Sequence, residues 1–127
     1  MVVDSDVIIR YLTNDDPAKA DRLEKYLSSG NQIILSEVTI AEVYWTMRSF
    51  YKFVKEETVL SIEALLVTRG VIANREIINT TLNLLKANNV SYIDAYTAAY
   101  ALIKNKGAIL SFDRGFDRIK GIKRHEP

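Results

Sequence analysis

The feature that most limits what this chain can fold into is its alternation of short apolar runs with longer amphipathic stretches. Met1-Val2-Val3 and Ile33-Ile34-Leu35 are apolar runs, and residues 108–112 a mostly apolar one broken only by Ser111, all too brief for helices and each followed at once by a polar residue. Runs of that length between turn signals predict buried strands. The stretches between them have helical spacing. Residues 5–12 place Val7, Ile8, Tyr11 and Leu12 on one face. Asp16-Pro17 is a start signal, an acceptor at the cap followed by proline at the first helical position, and that helix runs through Leu23 and Leu27 to a stop at Gly30. Further helices are predicted over 39–52, 56–69, 76–87 and 94–106, the last rich in alanine and closed by Gly107. Val71-Ile72 and residues 121–124 are short extended pieces. Strands alternating with helices predict an α/β fold around a mostly parallel sheet. No repeat or linker interrupts the pattern, so residues 1–127 are expected to form one domain.

Composition then removes whole classes of chemistry. The chain has no cysteine, which excludes disulfides, thiolate metal sites and cysteine nucleophiles. Its only histidine is His125, near the end, so a histidine zinc site or a Ser-His-Asp triad in the body of the fold is excluded too. No apolar run approaches the ~20 residues of a membrane span, and the expected location is the cytoplasm. The net charge of +1 hides an asymmetry: from Lys104 onward there are seven basic and three acidic residues, against ten and thirteen before it. Such a basic end attracts polyanions, and it equally suits a solvated edge strand whose lysines discourage sheet-to-sheet pairing.

Carboxylates are what remain, and their positions are informative. Asp4 ends the first apolar run and Asp113 the last. Glu42 is placed in the first turn of the helix after the second run, and Asp94 opens the alanine-rich helix. In open α/β sheets the ligand crevice lies at the carboxyl ends of the strands. Ordinary roles also exist. Thr39-Ile40-Ala41-Glu42 fits a capping box and Ser91-Tyr92-Ile93-Asp94 a weaker one, while Asp113 before Arg114-Gly115 suits a turn. Asp4 is the hardest to explain in this way, because a carboxylate ending a buried strand is costly without a partner. Clustered carboxylates repel by about 4 kcal/mol per pair at ~4 Å and an effective dielectric of 20. Four of them call for cations, and oxygen-only ligands suit Mg²⁺ or Mn²⁺. Such ions polarise phosphoryl oxygens and lower the pKa of water, which makes phosphodiester hydrolysis the natural reaction class.

With these residues in view, the sequence resembles the PIN-domain ribonucleases, and within them the VapC-type toxins of toxin–antitoxin pairs. The likeness spans the chain. Val2-Val3-Asp4-Ser5-Asp6-Val7 is similar to the family's opening strand, and residues 34–43 to the motif ending in its glutamate. Ser91-Tyr92-Ile93-Asp94-Ala95 resembles the third motif, and residues 109–116 the fourth. The resemblance implies a three-layer α/β/α domain with a sheet of four to five strands. It implies that Asp4, Glu42 and Asp94 hold a first Mg²⁺ or Mn²⁺, with Asp113 completing the site and Asp117 a further candidate for a second ion. Ser5 and Ser111 match hydroxyl positions that tether ligands or water. Asp6 stands where the family often has Asn or Ser, as an outer ligand or a helix N-terminal acid. Arg10 and Arg114 are candidate phosphate contacts and equally plain solvent-facing charges. The implied partners are an RNA substrate, a cognate antitoxin and a second copy in a homodimer. The aromatic-rich region holding Tyr44, Trp45, Phe50, Tyr51 and Phe53 is either the surface for those partners or intradomain core.

Other readings compete. Asp4-x-Asp6 with Asp113-x-x-x-Asp117 is similar to the haloacid-dehalogenase-type phosphatase pattern, in which Asp4 is a nucleophile and Asp6 the acid/base. That reading leaves Glu42 and Asp94 idle. A phosphate-accepting receiver module needs an aspartate at the end of a middle strand, where Leu35-Ser36 offers none. A PIN scaffold that only binds RNA or a partner is the remaining alternative.

Overall fold

The computed structural model describes residues Met1–Pro127, which divide into two compact units, Met1–Asn74 and Arg75–Pro127.

The first unit contains α1 (Ser5–Thr13), α2 (Pro17–Ser28), β1 (Ile33–Leu35), α3 (Glu37–Ser49), α4 (Lys55–Leu66) and β2 (Val71–Ala73). β1 and β2 pair in parallel with Ile33 opposite Val71. Backbone groups alternate sides along a strand. The Ile33 amide therefore donates to the Gly70 carbonyl on one side (2.8 Å), and the Ile34 amide to the Met1 carbonyl on the other (2.8 Å). Val2 thus adds a one-residue parallel bridge on the far edge of β1. α1 packs against α2 and α3, and α3 against α4. Ile8, Leu35, Ile40, Val43, Met47, Ile62 and Leu65 are fully buried among these elements.

The second unit contains α5 (Arg75–Ala87), α6 (Tyr92–Lys104), β3 (Ala108–Leu110), a 3-10 helix (Arg114–Arg118) and β4 (Lys123–His125). α5 lies against α6, where Ala95, Ala98 and Ala99 are fully buried and small enough for the helices to approach closely. β3 and β4 are parallel, Ala108 opposite Lys123, and the 3-10 helix forms the crossover that parallel strands require. Ala98, Ala101, Ile109, Phe116 and Ile119 make a core, with Leu84, Val90 and Ile122 packed against it.

The α/β character and the parallel pairing agree with the sequence reading. The hydrogen-bonded strands, however, form two two-stranded sheets, where a single sheet of four to five strands was expected. The strands are short because helix caps cut them off: Asp4 caps α1 directly after Val3, and Ser36 caps α3 directly after Leu35. No helix is long and apolar enough to cross a membrane.

Candidate active site

In the first unit, Asp4 has extended backbone (φ −89°, ψ 159°) and caps α1, its Oδ1 accepting the Ser5 amide at 2.8 Å. That bond turns the chain out of the strand and aims Ser5 inward. Ser5 is buried, and its hydroxyl donates to Glu42 Oε1 on α3. The serine thus ties the start of α1 to the neighbouring helix. Asp4, Asp6 and Glu42 are all exposed, and none is in an ion pair. The capping-box role expected for Glu42 is not the one it has. α3 starts at Glu37 with Ser36 as its cap, so Glu42 lies in the second turn and its carboxylate is free to meet Ser5.

Arg10 is committed elsewhere. Its guanidinium donates to Asp15 (2.5 Å) and to the Tyr51 hydroxyl (3.2 Å), and Tyr51 donates to the same Asp15 oxygen (2.6 Å). The hydrogen bond from Tyr51, and then Arg10, hold the Asp15 carboxyl below its usual range. Asp15 in turn raises the Tyr51 phenol and the Arg10 guanidinium.

In the second unit, Asp94 is the third residue of α6, where its amide donates to the capping Ser91 hydroxyl (3.1 Å), as the sequence pattern predicts. Ser111 accepts the Asp113 amide at 2.9 Å, and Asp113 Oδ1 accepts the Gly115 amide at 2.8 Å, capping the 3-10 helix. The turn-forming role and the candidate ligand therefore coexist in Asp113, with its second oxygen uncommitted. Asp117 differs. Arg124 holds both its oxygens (3.0 and 3.4 Å), and the same guanidinium reaches Glu126 and the Ser111 carbonyl. Those two carboxylates push Arg124 above its ordinary pKa, Asp117 most. Arg114 is exposed and unpaired.

In neither unit do three His, Cys, Asp or Glu side chains stand close enough to hold a metal ion. The donor chemistry nonetheless suits a hard divalent cation. Asp4 and Glu42 are exposed carboxylates without a cationic partner, linked through Ser5 and offering oxygen alone. Sequence reasoning also missed a cavity of about 600 Å³ in the first unit, with Asp4 in its wall and Lys19, Arg22 and Tyr26 of α2 along one side. The spacing of those three residues, i, i+3 and i+7, was the signal.

Comparison with curated proteins gives no match. Family models give one, the PIN domain, over residues 1–122. PIN domains are generally metal-dependent nucleases. The match covers nearly the entire chain, and this protein belongs to the PIN-domain family.

Proposed function

We propose that this chain is a divalent-metal-dependent endoribonuclease, the toxin of a VapC-type toxin–antitoxin pair. The observation that carries the reading is the Asp4–Ser5–Glu42 arrangement in a PIN-family chain: two carboxylates without a cationic partner, tied to one buried serine, Asp4 through its amide and Glu42 through its hydroxyl. Asp4, Glu42 and Asp94 are the residues proposed to hold Mg²⁺ or Mn²⁺, with Asp113 completing the set. Asp113 is preferred to Asp117, whose charge Arg124 already neutralises. A bound divalent ion supplies Lewis-acid stabilisation of the phosphoryl oxygens. Ser5 orients Glu42 by donating to one oxygen, which leaves the other to accept a ligand. The Gly115 amide fixes one Asp113 oxygen, and the Ser111 hydroxyl accepts the Asp113 amide and holds its backbone. Asp6 adds negative charge beside Asp4 without a bond of its own, an outer role at most. A cognate antitoxin and a second copy of the chain are the proposed protein partners. The phosphatase reading gives the Ser5–Glu42 bond no task.

Purified protein is incubated with a mixed RNA pool and Mg²⁺ or Mn²⁺, beside EDTA and Asp4→Asn controls. Cleavage that disappears in both controls is the expected result. Intact RNA with either metal overturns the nuclease reading.

A further inference from the structure

The cavity beside Asp4 has a chemistry that the carboxylate site does not explain. Its floor is apolar, formed by Val3, Leu23 and Ile33, all buried. Its α2 side is not. Lys19, Arg22 and Tyr26 line it from one helical face, with Leu23 beneath them. Lys19 is held only loosely by Asp16 (3.8 Å), and Arg22 is exposed and has no ion pair at all. Tyr26 is half-buried, and its hydroxyl makes no hydrogen bond. An apolar hollow with an unpaired arginine, a loosely paired lysine and an aromatic ring on one lip fits a ligand that is flat and apolar on one part and anionic on the next. A nucleotide within a single strand has that character: bases stack on aromatic rings while basic side chains follow the backbone. The volume, about 600 Å³, lies in the usual range for sites of small ligands.

We infer that this cavity is the subsite for the single-stranded RNA flanking the scissile phosphate, with a base seated over Val3 and Leu23 against Tyr26 and the adjoining phosphate on Arg22 and Lys19. The inference rests on the nuclease reading and deepens it. The carboxylates of Asp4 and Asp6 form one wall and the positive lip of α2 the other. The adjoining phosphate is drawn to the helix, so the backbone crosses the cavity between the carboxylate site and Arg22. A helical segment of a partner protein is the other class of occupant for an apolar groove. The unpaired Arg22 and the loosely held Lys19 favour the polyanion, because such a segment offers them nothing unless it is acidic.

The test measures binding without cleavage. Fluorescence anisotropy follows a labelled ten-nucleotide single-stranded RNA of mixed sequence in EDTA, against wild type, Arg22→Ala, Tyr26→Ala and the control Lys25→Ala, which lies on α2 outside the cavity. Tyr26→Ala is expected to weaken binding about tenfold. Arg22→Ala should lower the slope of log affinity against log salt by about 0.7, one single-strand phosphate contact. Lys25→Ala should change neither. Tyr26→Phe keeps the ring and should bind as wild type, which separates stacking from damage to the fold. Unchanged affinity and salt slope in both Arg22→Ala and Tyr26→Ala overturn the proposal and leave the groove to a protein segment. If RNA is cleaved while those variants bind normally, the subsite fails and the nuclease reading stands. If binding depends on Arg22 and Tyr26 but no RNA is cut with metal, the nuclease reading fails and the RNA subsite stands.

Discussion

At the scale of single residues, Asp4 has two jobs that a mutation can separate. As a helix cap it needs only an acceptor oxygen, and asparagine caps as well as aspartate. As a ligand it needs charge. Asp4→Asn should therefore melt within about 0.5 kcal/mol of wild type yet lose cleavage, whereas Asp4→Ala should lose cleavage and about 1 kcal/mol of stability. Equal stability in the two variants, by thermal melting without metal, would show that the cap bond to Ser5 contributes little. The Asp15 carboxylate makes a second prediction, in pH. Its folded pKa lies below the ordinary 3.8, so the fold favours the ionised form. That contribution is complete above about 3.8 and lost as pH falls through the lowered value. Tyr51 has the opposite sign: its phenol is raised above 10.0, so its contribution is present below 10 and lost as pH rises through the raised value. Tyr51→Phe should flatten the melting-temperature profile at both ends while leaving the middle nearly level. A profile parallel to wild type across both ranges would sink this account. Asp4 was legible in the sequence because an acid after an apolar run needs a reason. The Asp15–Tyr51 pair was not, since its partners lie far apart in sequence and no local periodicity reports such a contact.

Elements show where local patterns compete. Thr39-x-x-Glu42 and Ser36-x-x-Thr39 are overlapping start signals, and the sequence alone favours the one with the acid. The fold selects Ser36, whose hydroxyl accepts the Thr39 amide at 3.1 Å, and the helix buries Ile40, Val43, Tyr44 and Met47 on one side. That three-residue shift turns Glu42 from a cap into a partner of Ser5. Some boundaries stand as read, α2 starting at Pro17 and β1 spanning Ile33–Leu35, while α3 and α4 end three residues early, at Ser49 and Leu66. Glycine stops were legible as well, although their costs differ for reasons only the packing reveals. Gly30 and Gly107 both have positive φ (90° and 84°). A Cβ on Gly30 meets nothing within 4 Å, whereas one on Gly107 would fall onto the Gly121 carbonyl, between α6 and β4. Gly30→Ala should therefore cost only backbone strain, about 1 kcal/mol, and Gly107→Ala on the order of 3 kcal/mol once the displaced turn is included. Chemical denaturation of the two variants checks the ranking, and equal losses would contradict it.

For the molecule as a whole, the open question in the sequence was whether its aromatics belong to the core or to a surface. The structure divides them. Tyr44 is buried, Tyr51 and Phe53 are half-buried against each other's rings (centroids 6.3 Å apart), and Trp45 and Phe50 remain 65% and 74% exposed. Helical spacing could not separate Tyr44 from Trp45, since adjacent positions differ by only ~100° and both fall near an apolar face. Exposure of two large aromatics on a small chain is costly to leave uncovered and is typical of association surfaces, where Trp and Phe are enriched. The proposed homodimer supplies a cover of the required kind. A stable interface hides roughly 800 Å² per partner, and Val38, seven residues before Trp45 on the same helix, is exposed as well. At micromolar concentration the chain should sediment with twice its 14.4 kDa mass. Trp45→Lys or Phe50→Lys should return it to a monomer with an unchanged circular dichroism spectrum, because neither side chain contributes to the buried core. A wild-type monomer at that concentration would sink the dimer. It would leave Trp45 and Phe50 as surface for the antitoxin, in which case a Phe50→Lys chain would still cleave RNA but escape inhibition.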